Sequence, residues 1–140
     1  MDIKNRYHTK STFLLERLEH LLVVVVCSVL VLMHYQETNW LRFAVAFLII
    51  DIIGYIPGAI IYHRQHGGKI PEIFHYLYNI THSYLTAALL FAVWMWSMGG
   101  FEWAMLGLPI HLSGDRGVFG NIYKPVSLPF EPVAVEQPVQ

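Results

Sequence analysis

Charge is what this sequence has least of. Asp, Glu, Lys and Arg make up 14% of its 140 residues, against about 25% in a typical soluble domain. They are clustered, so that long stretches carry almost none. The net charge of -1 supplies no basic face and excludes a nucleic-acid footprint. There is one cysteine, Cys27, which excludes an intrachain disulfide; within the apolar run 21–33 it reads as a small packing residue. No internal repeat recurs at a fixed period. Neither an inverted repeat nor a pair of broken helices is legible, which argues against a transporter. The length allows one domain and no more.

What the chain has instead is apolar bulk, at 55% of residues. A membrane span needs roughly 20 mostly apolar residues, and four segments approach that length: 12–35, 41–62, 71–98 and a shorter 101–117 interrupted by Pro109. The expected fold is therefore all-α, a polytopic four-helix transmembrane bundle over 1–124 followed by an extended Pro-rich tail over 125–140, with Pro129, Pro132 and Pro138 opposing helix. The first run is followed by Tyr35-Gln36-Glu37-Thr38-Asn39 and not by a small-residue cleavage site, so a retained helix is expected rather than a signal peptide. A polar connector, His63-Arg64-Gln65-His66-Gly67-Gly68-Lys69, separates the second and third segments, and Gly99-Gly100 sets a tight turn before the fourth.

Orientation follows from the basic residues. With four spans, one side holds Lys4, Arg6, Lys10, Arg17, Arg64, Lys69, Arg116 and Lys124, and the other holds Arg42 alone. The positive-inside rule then places both termini in the cytoplasm, in a multi-pass protein of the inner (plasma) membrane. Trp40, Trp94, Trp96 and Trp103 gather at the opposite helix ends, where an aromatic belt belongs.

Ionisable side chains at membrane depth cost at least a few kcal/mol each, so they face the bundle interior and find partners. Glu16, Glu19 and His20 lie early in the first helix and Asp51 near the middle of the second. His75, Asn79 and His82 share a face of the third, and His111 and Asp115 are an i, i+4 pair on the fourth. The set Glu19, Asp51, His82, His111 and Asp115 falls at a common depth in the cytoplasmic half. Carboxylate with imidazole suits zinc, iron or manganese, and helical bundles build such sites from inward-facing Asp, Glu and His.

Each residue alone has a plainer reading. A membrane histidine is commonly an interhelical hydrogen-bond donor, Asp51 could pair with an arginine, and Glu16 and Glu19 could sit solvated at the headgroups. Convergence of the set shifts the balance to a polar functional site holding a divalent metal, zinc or iron. His63 and His66 flank a surface turn, and His8 and His34 read as surface residues.

Arg17-Leu18-Glu19, Asp51 with Gly54-Tyr55 and Gly58, Tyr78-Asn79-x-x-His82, and His111-x-x-x-Asp115-Arg116-x-x-Gly120 occur one per helix. In that order they resemble an uncharacterised family of small bacterial four-helix integral membrane proteins, a domain of unknown function. The resemblance covers about residues 13 to 124. Two departures are Ile50-Asp51 in place of Pro-Asp, and Asn121-Ile122-Tyr123-Lys124 in place of a longer Gly-Leu-Lys segment. It implies the fold and the polar set but no reaction. A looser similarity links His63-Arg64, Thr81-His82-Ser83 and His111 with Asp115 to membrane-bound metal-dependent hydrolases of the phospholipase-like type.

Two functions compete. One is a metal-dependent enzyme in the cytoplasmic leaflet acting on a lipid-like substrate, by hydrolysis with zinc or oxidation with iron. The other is an accessory subunit of a larger membrane complex, its polar cluster fixing helix packing. Partners beyond the lipid bilayer are expected to dock through the small-residue face Gly54-x-x-x-Gly58 and through the tail beyond Lys124, which has no core of its own.

Overall fold

The computed structural model describes residues 9–131, and all their regular structure is helical. The helices fall into four stretches of chain. The first is α1, Lys10–Met33, started by a reciprocal cap in which Thr9 Oγ1 accepts from the Thr12 amide and Thr12 Oγ1 from the Thr9 amide. The second is α2, Trp40–Gly54, followed directly by α3, Ile56–Arg64. Pro57 lacks the amide hydrogen that would continue the ladder to Ile53, and the helix is interrupted at Tyr55. The third is α4, Ile73–Thr81, and α5, Tyr84–Met98. The fourth runs from a 3₁₀ turn at Trp103–Leu106 through α6, Gly107–Gly114, into a π turn at Asp115–Phe119.

The sequence reading expects one unbroken third helix over 71–98. The structure instead ends α4 at His82 and restarts α5 at Ser83, whose hydroxyl accepts from the Leu85 amide at 3.2 Å. Breaks thus fall in both the second and the third pass, where the sequence showed none in pairs.

The central element is α2, which packs on α4, the 3₁₀ turn and α6, while α1 covers α6 and the π turn. Two apolar clusters flank the bundle's middle. Ala46, Ile50, Ala87, Leu108 and Leu112 form one; Ile70, Tyr78 and Phe130 form the other. Outside, the surface is apolar on α1, α2 and α5, with Leu41 76% and Leu85 72% exposed. By length and composition, one helical stretch of the described residues, Trp40–Arg64, can cross a membrane; α5 is apolar but shorter.

The small-residue face is used within the chain. A Cβ on Gly54 would collide with the Thr81 hydroxyl of α4, and one on Gly58 with the ring of Phe130. The stretch 125–131 lies as a strap on its own helices. Phe130 is fully buried, His75 Nε2 meets the Leu128 carbonyl at 3.2 Å, and Asn79 exchanges two hydrogen bonds with the Lys124 backbone at 3.0 and 2.7 Å. A hole without a side chain at Gly58 and an aromatic ring to fill it explain why the strap needs no outside core. Residues 132–140 lie outside the described residues, as do Lys4, Arg6 and His8.

Candidate metal centre

Asp51, His82 and His111 offer ligand atoms lying within 4.8 Å of one another, a group that could hold a metal ion. Asp51 comes from α2, one residue past the core residue Ile50. His82 sits at the break between α4 and α5. His111 comes from α6, beside Leu112. Asp115, the first residue of the π turn, closes the fourth side. The two imidazoles are buried, at 2% and 7% exposure, while Asp51 and Asp115 retain 32% and 19%.

The separations carry chemical information. His82 Nε2 lies 3.2 Å from Asp51 Oδ1 and 3.4 Å from Asp115 Oδ2; His111 Nε2 lies 3.5 Å from Asp51 Oδ2 and 3.7 Å from Asp115 Oδ2. Three of these four exceed an N–H···O hydrogen bond, about 2.7–3.2 Å. Two ligands about 2.0–2.1 Å from one tetrahedral metal stand about 3.3–3.4 Å apart, which is the middle of this range.

The His82 ring is held from its Nδ1 side. Its Nδ1 lies 3.0 Å from the Tyr78 carbonyl oxygen, which can only accept, so Nδ1 carries the proton. Nε2 is the nitrogen that faces the carboxylates, and in the neutral ring it presents a lone pair there, the arrangement found around ligating histidines. The Tyr78 ring stacks on His82 with centroids 3.8 Å apart. His111 is held by packing, edge-on to Phe47 at 4.7 Å, and its Nδ1 is buried without a hydrogen-bond partner among the described residues.

No arginine neutralises these carboxylates among the described residues. Arg17 donates to the carbonyls of Gly117 and Val118 at 2.9 and 2.8 Å, which fastens α1 to the π turn. Arg116 lies over the Tyr84 ring at 4.4 Å and donates to the backbone of α4.

Glu19 is not part of the group: it stands exposed on α1. The first helix contributes clamps rather than ligands, since His20 Nδ1 meets Tyr84 Oη at 3.2 Å and that hydroxyl meets Ser113 Oγ at 2.6 Å. Depth along a helix is legible from residue counting, but the direction around the axis depends on neighbours. His63, drawn in by the hydrolase similarity, lies elsewhere, 3.3 Å from Glu131.

A cavity of about 420 Å³ opens onto the cluster. Asp51 and Asp115 line its floor; Tyr55, Tyr78, Lys124 and Glu131 are on its walls. None of these wall residues is marked as a site by the sequence, because tyrosines and a tail glutamate read as interface. Tyr55 donates to Glu131 Oε1 at 2.6 Å. Lys124 Nζ donates to the Phe130 carbonyl at 2.6 Å. Burial pulls the Lys124 ammonium below the usual lysine value, opposed by the carboxylates of Glu131, Asp115 and Asp51.

Fold and site together define a helical protein with a buried carboxylate–imidazole cluster able to hold a metal ion. Compared with protein-family models, with curated proteins and with solved structures, the chain finds no match in any of the three.

Proposed function

We propose that this chain is a four-pass protein of the inner (plasma) membrane, with both termini cytoplasmic. Asp51, His82 and His111 hold one divalent metal ion, with Asp115 beside them and a position left open, for hydrolysis of an ester in a lipid-like substrate. The observation that carries the metal is the 3.2–3.7 Å spacing of four donor pairs, too long for most hydrogen bonds and right for ligands that share an ion. The membrane reading is supported by the apolar exterior of α1, α2 and α5, which water would penalise as one large patch, and by the one-sided distribution of Lys and Arg. The fourth pass is short because α6 is enclosed by the other elements rather than by lipid.

Two imidazoles and one carboxylate with a fourth position open suit zinc; bound there, it would supply a water acidified to about neutral pH. The chain's own residues do the rest. Tyr78 fixes the His82 tautomer, Glu131 with Tyr55 offers a carboxylate beyond the ligand set to hold a proton, and the strap walls the cavity from the lipid side.

Elemental analysis of detergent-purified protein tests the reading. About one zinc per chain is expected, lost in a His82→Gln/His111→Gln variant that still elutes as a folded species. A folded wild type without any transition metal would sink it, and the cluster would then be the hydrogen-bonding core of an accessory subunit.

A further inference from the structure

Lys124 stands in an unusual place. The cavity over the cluster is lined by three carboxylates, those of Asp51, Asp115 and Glu131, and by this single ammonium. Yet Lys124 makes no ion pair with any of them among the described residues. Its hydrogen bond goes to the Phe130 carbonyl, and its Nζ rests 4.5 Å from the Phe130 ring centroid, 4.9 Å from that of Tyr78 and 5.4 Å from that of Tyr55. Aromatic faces attract a cation without consuming its donors. An ammonium has three, so two remain for something else.

The carboxylates have other business. Glu131 is engaged by the Tyr55 hydroxyl and by His63. Asp51 and Asp115 face the imidazoles. If a divalent ion sits among them, as proposed above, Asp51 and Asp115 balance its two charges and Glu131 balances Lys124, while two of the Lys124 donors still have no acceptor among the described residues. Half-buried donors left without acceptors are costly until an acceptor arrives.

We infer that this cavity binds a phosphate group, of a phosphomonoester or of a phospholipid headgroup, between the metal position and Lys124. The inference rests on the metal reading. Phosphate is preferred to carboxylate by donor count. Besides the metal and Lys124, the cavity presents Asn121, whose side-chain amide has no hydrogen bond to the chain among the described residues. A three-oxygen group uses all three positions, whereas a carboxylate leaves one unmet. The volume of about 420 Å³ is within the ordinary range for a small-molecule site. Phe119, 72% exposed, adds an apolar rim suited to the carbon skeleton next to the phosphate.

The test is equilibrium dialysis of radiolabelled inorganic phosphate against detergent-solubilised protein whose zinc content is measured on the same sample. Zinc-loaded wild type is expected to bind phosphate, Lys124→Met to bind it roughly tenfold or more weakly, and Lys124→Arg to retain binding, all with unchanged zinc. Because Lys124 also ties down the strap, Asn121→Asp is the second variant: it leaves the strap alone, sets a carboxylate against the phosphate, and should weaken binding as well. Competition separates the sources, with glycerol phosphate displacing label as well as short-chain phosphatidic acid for a soluble ester, and only the latter displacing it for a lipid. Zinc present but no phosphate binding, or equal affinity in wild type and both weakening variants, overturns this inference and leaves the metal site intact. Absence of zinc overturns both.

Discussion

Arg116 donates from Nη2 to the carbonyl oxygen of His82 at 3.1 Å. The break between α4 and α5 leaves that carbonyl without a backbone partner, and an arginine from the fourth pass supplies one. The bond ties the backbone of His82 to the turn that carries Asp115. It fixes where the His82 ring stands without touching the ring.

This makes Arg116 a positioning residue with a measurable effect. Arg116→Met is expected to weaken zinc binding about tenfold or more, the usual size of an outer-shell loss, in a protein that remains folded. Arg116→Lys should not restore it, since an ammonium lacks the planar fork that both stacks on Tyr84 and donates to the carbonyl. Competitive titration with a chromophoric chelator reads both; wild-type affinity in Arg116→Met would remove Arg116 from the account.

The contact between Gly54 and Thr81 sets the distance between α2 and α4, and so between Asp51 and His82. Gly54→Ala should destabilise the protein by roughly 1–3 kcal/mol through overpacking and lower zinc affinity in the same variant. Adding Thr81→Ala removes the colliding hydroxyl and should recover part of both losses. Additive losses in the double variant would show that the two residues do not press on each other.

How much of this is legible in the sequence varies with the kind of information each residue carries. Asp51, His82, His111 and Asp115 announce themselves, because an ionisable group in an apolar stretch is costly unless it has partners. Helical spacing even gives their common level. Glu19 has the same residue type and depth, yet lies on the outer face of α1, and no count along one helix reveals that. The break at His82 is hidden because it needs neither proline nor glycine, only Ser83 acting as a cap. The strap is hidden for a related reason: the empty side of Gly58 and the ring of Phe130 are seventy-two residues apart, and each looks ordinary alone.

Gly58 and Phe130 should behave as one unit. Phe130→Ala is expected to cost about 3–5 kcal/mol, the range for a large-to-small change at a buried aromatic, and to expose 125–131 to limited proteolysis. Gly58→Ala should expose the same stretch, since its Cβ occupies the ring's place. In the double variant the costs should fall well short of their sum; thermal unfolding in detergent measures each corner of the cycle.

Removing the metal should lower stability. An ion present at a hundredfold excess over its Kd stabilises by about 2.7 kcal/mol, so chelation is expected to drop the melting temperature by several degrees. The His82→Gln/His111→Gln variant should show no such drop. An identical response in the two proteins would mean that the chelator acts elsewhere.

Topology is open to direct labelling. In a Cys27→Ala background, a cysteine at Gln65 should react with a membrane-impermeant reagent only after the cytoplasmic side is opened, and one at Glu102 from the outside. Labelling of both from the same side would refute the four-pass arrangement.

The strap has a consequence for the order in which the molecule is built. Residues 125–131 follow every helix among the described residues, so on the ribosome the elements that carry and clamp the cluster emerge while the cavity still has only its floor. Lys124 and Glu131 arrive after them and add the remaining walls of the cavity. Until they do, the histidines and their carboxylates lie beneath a cavity that still lacks one wall.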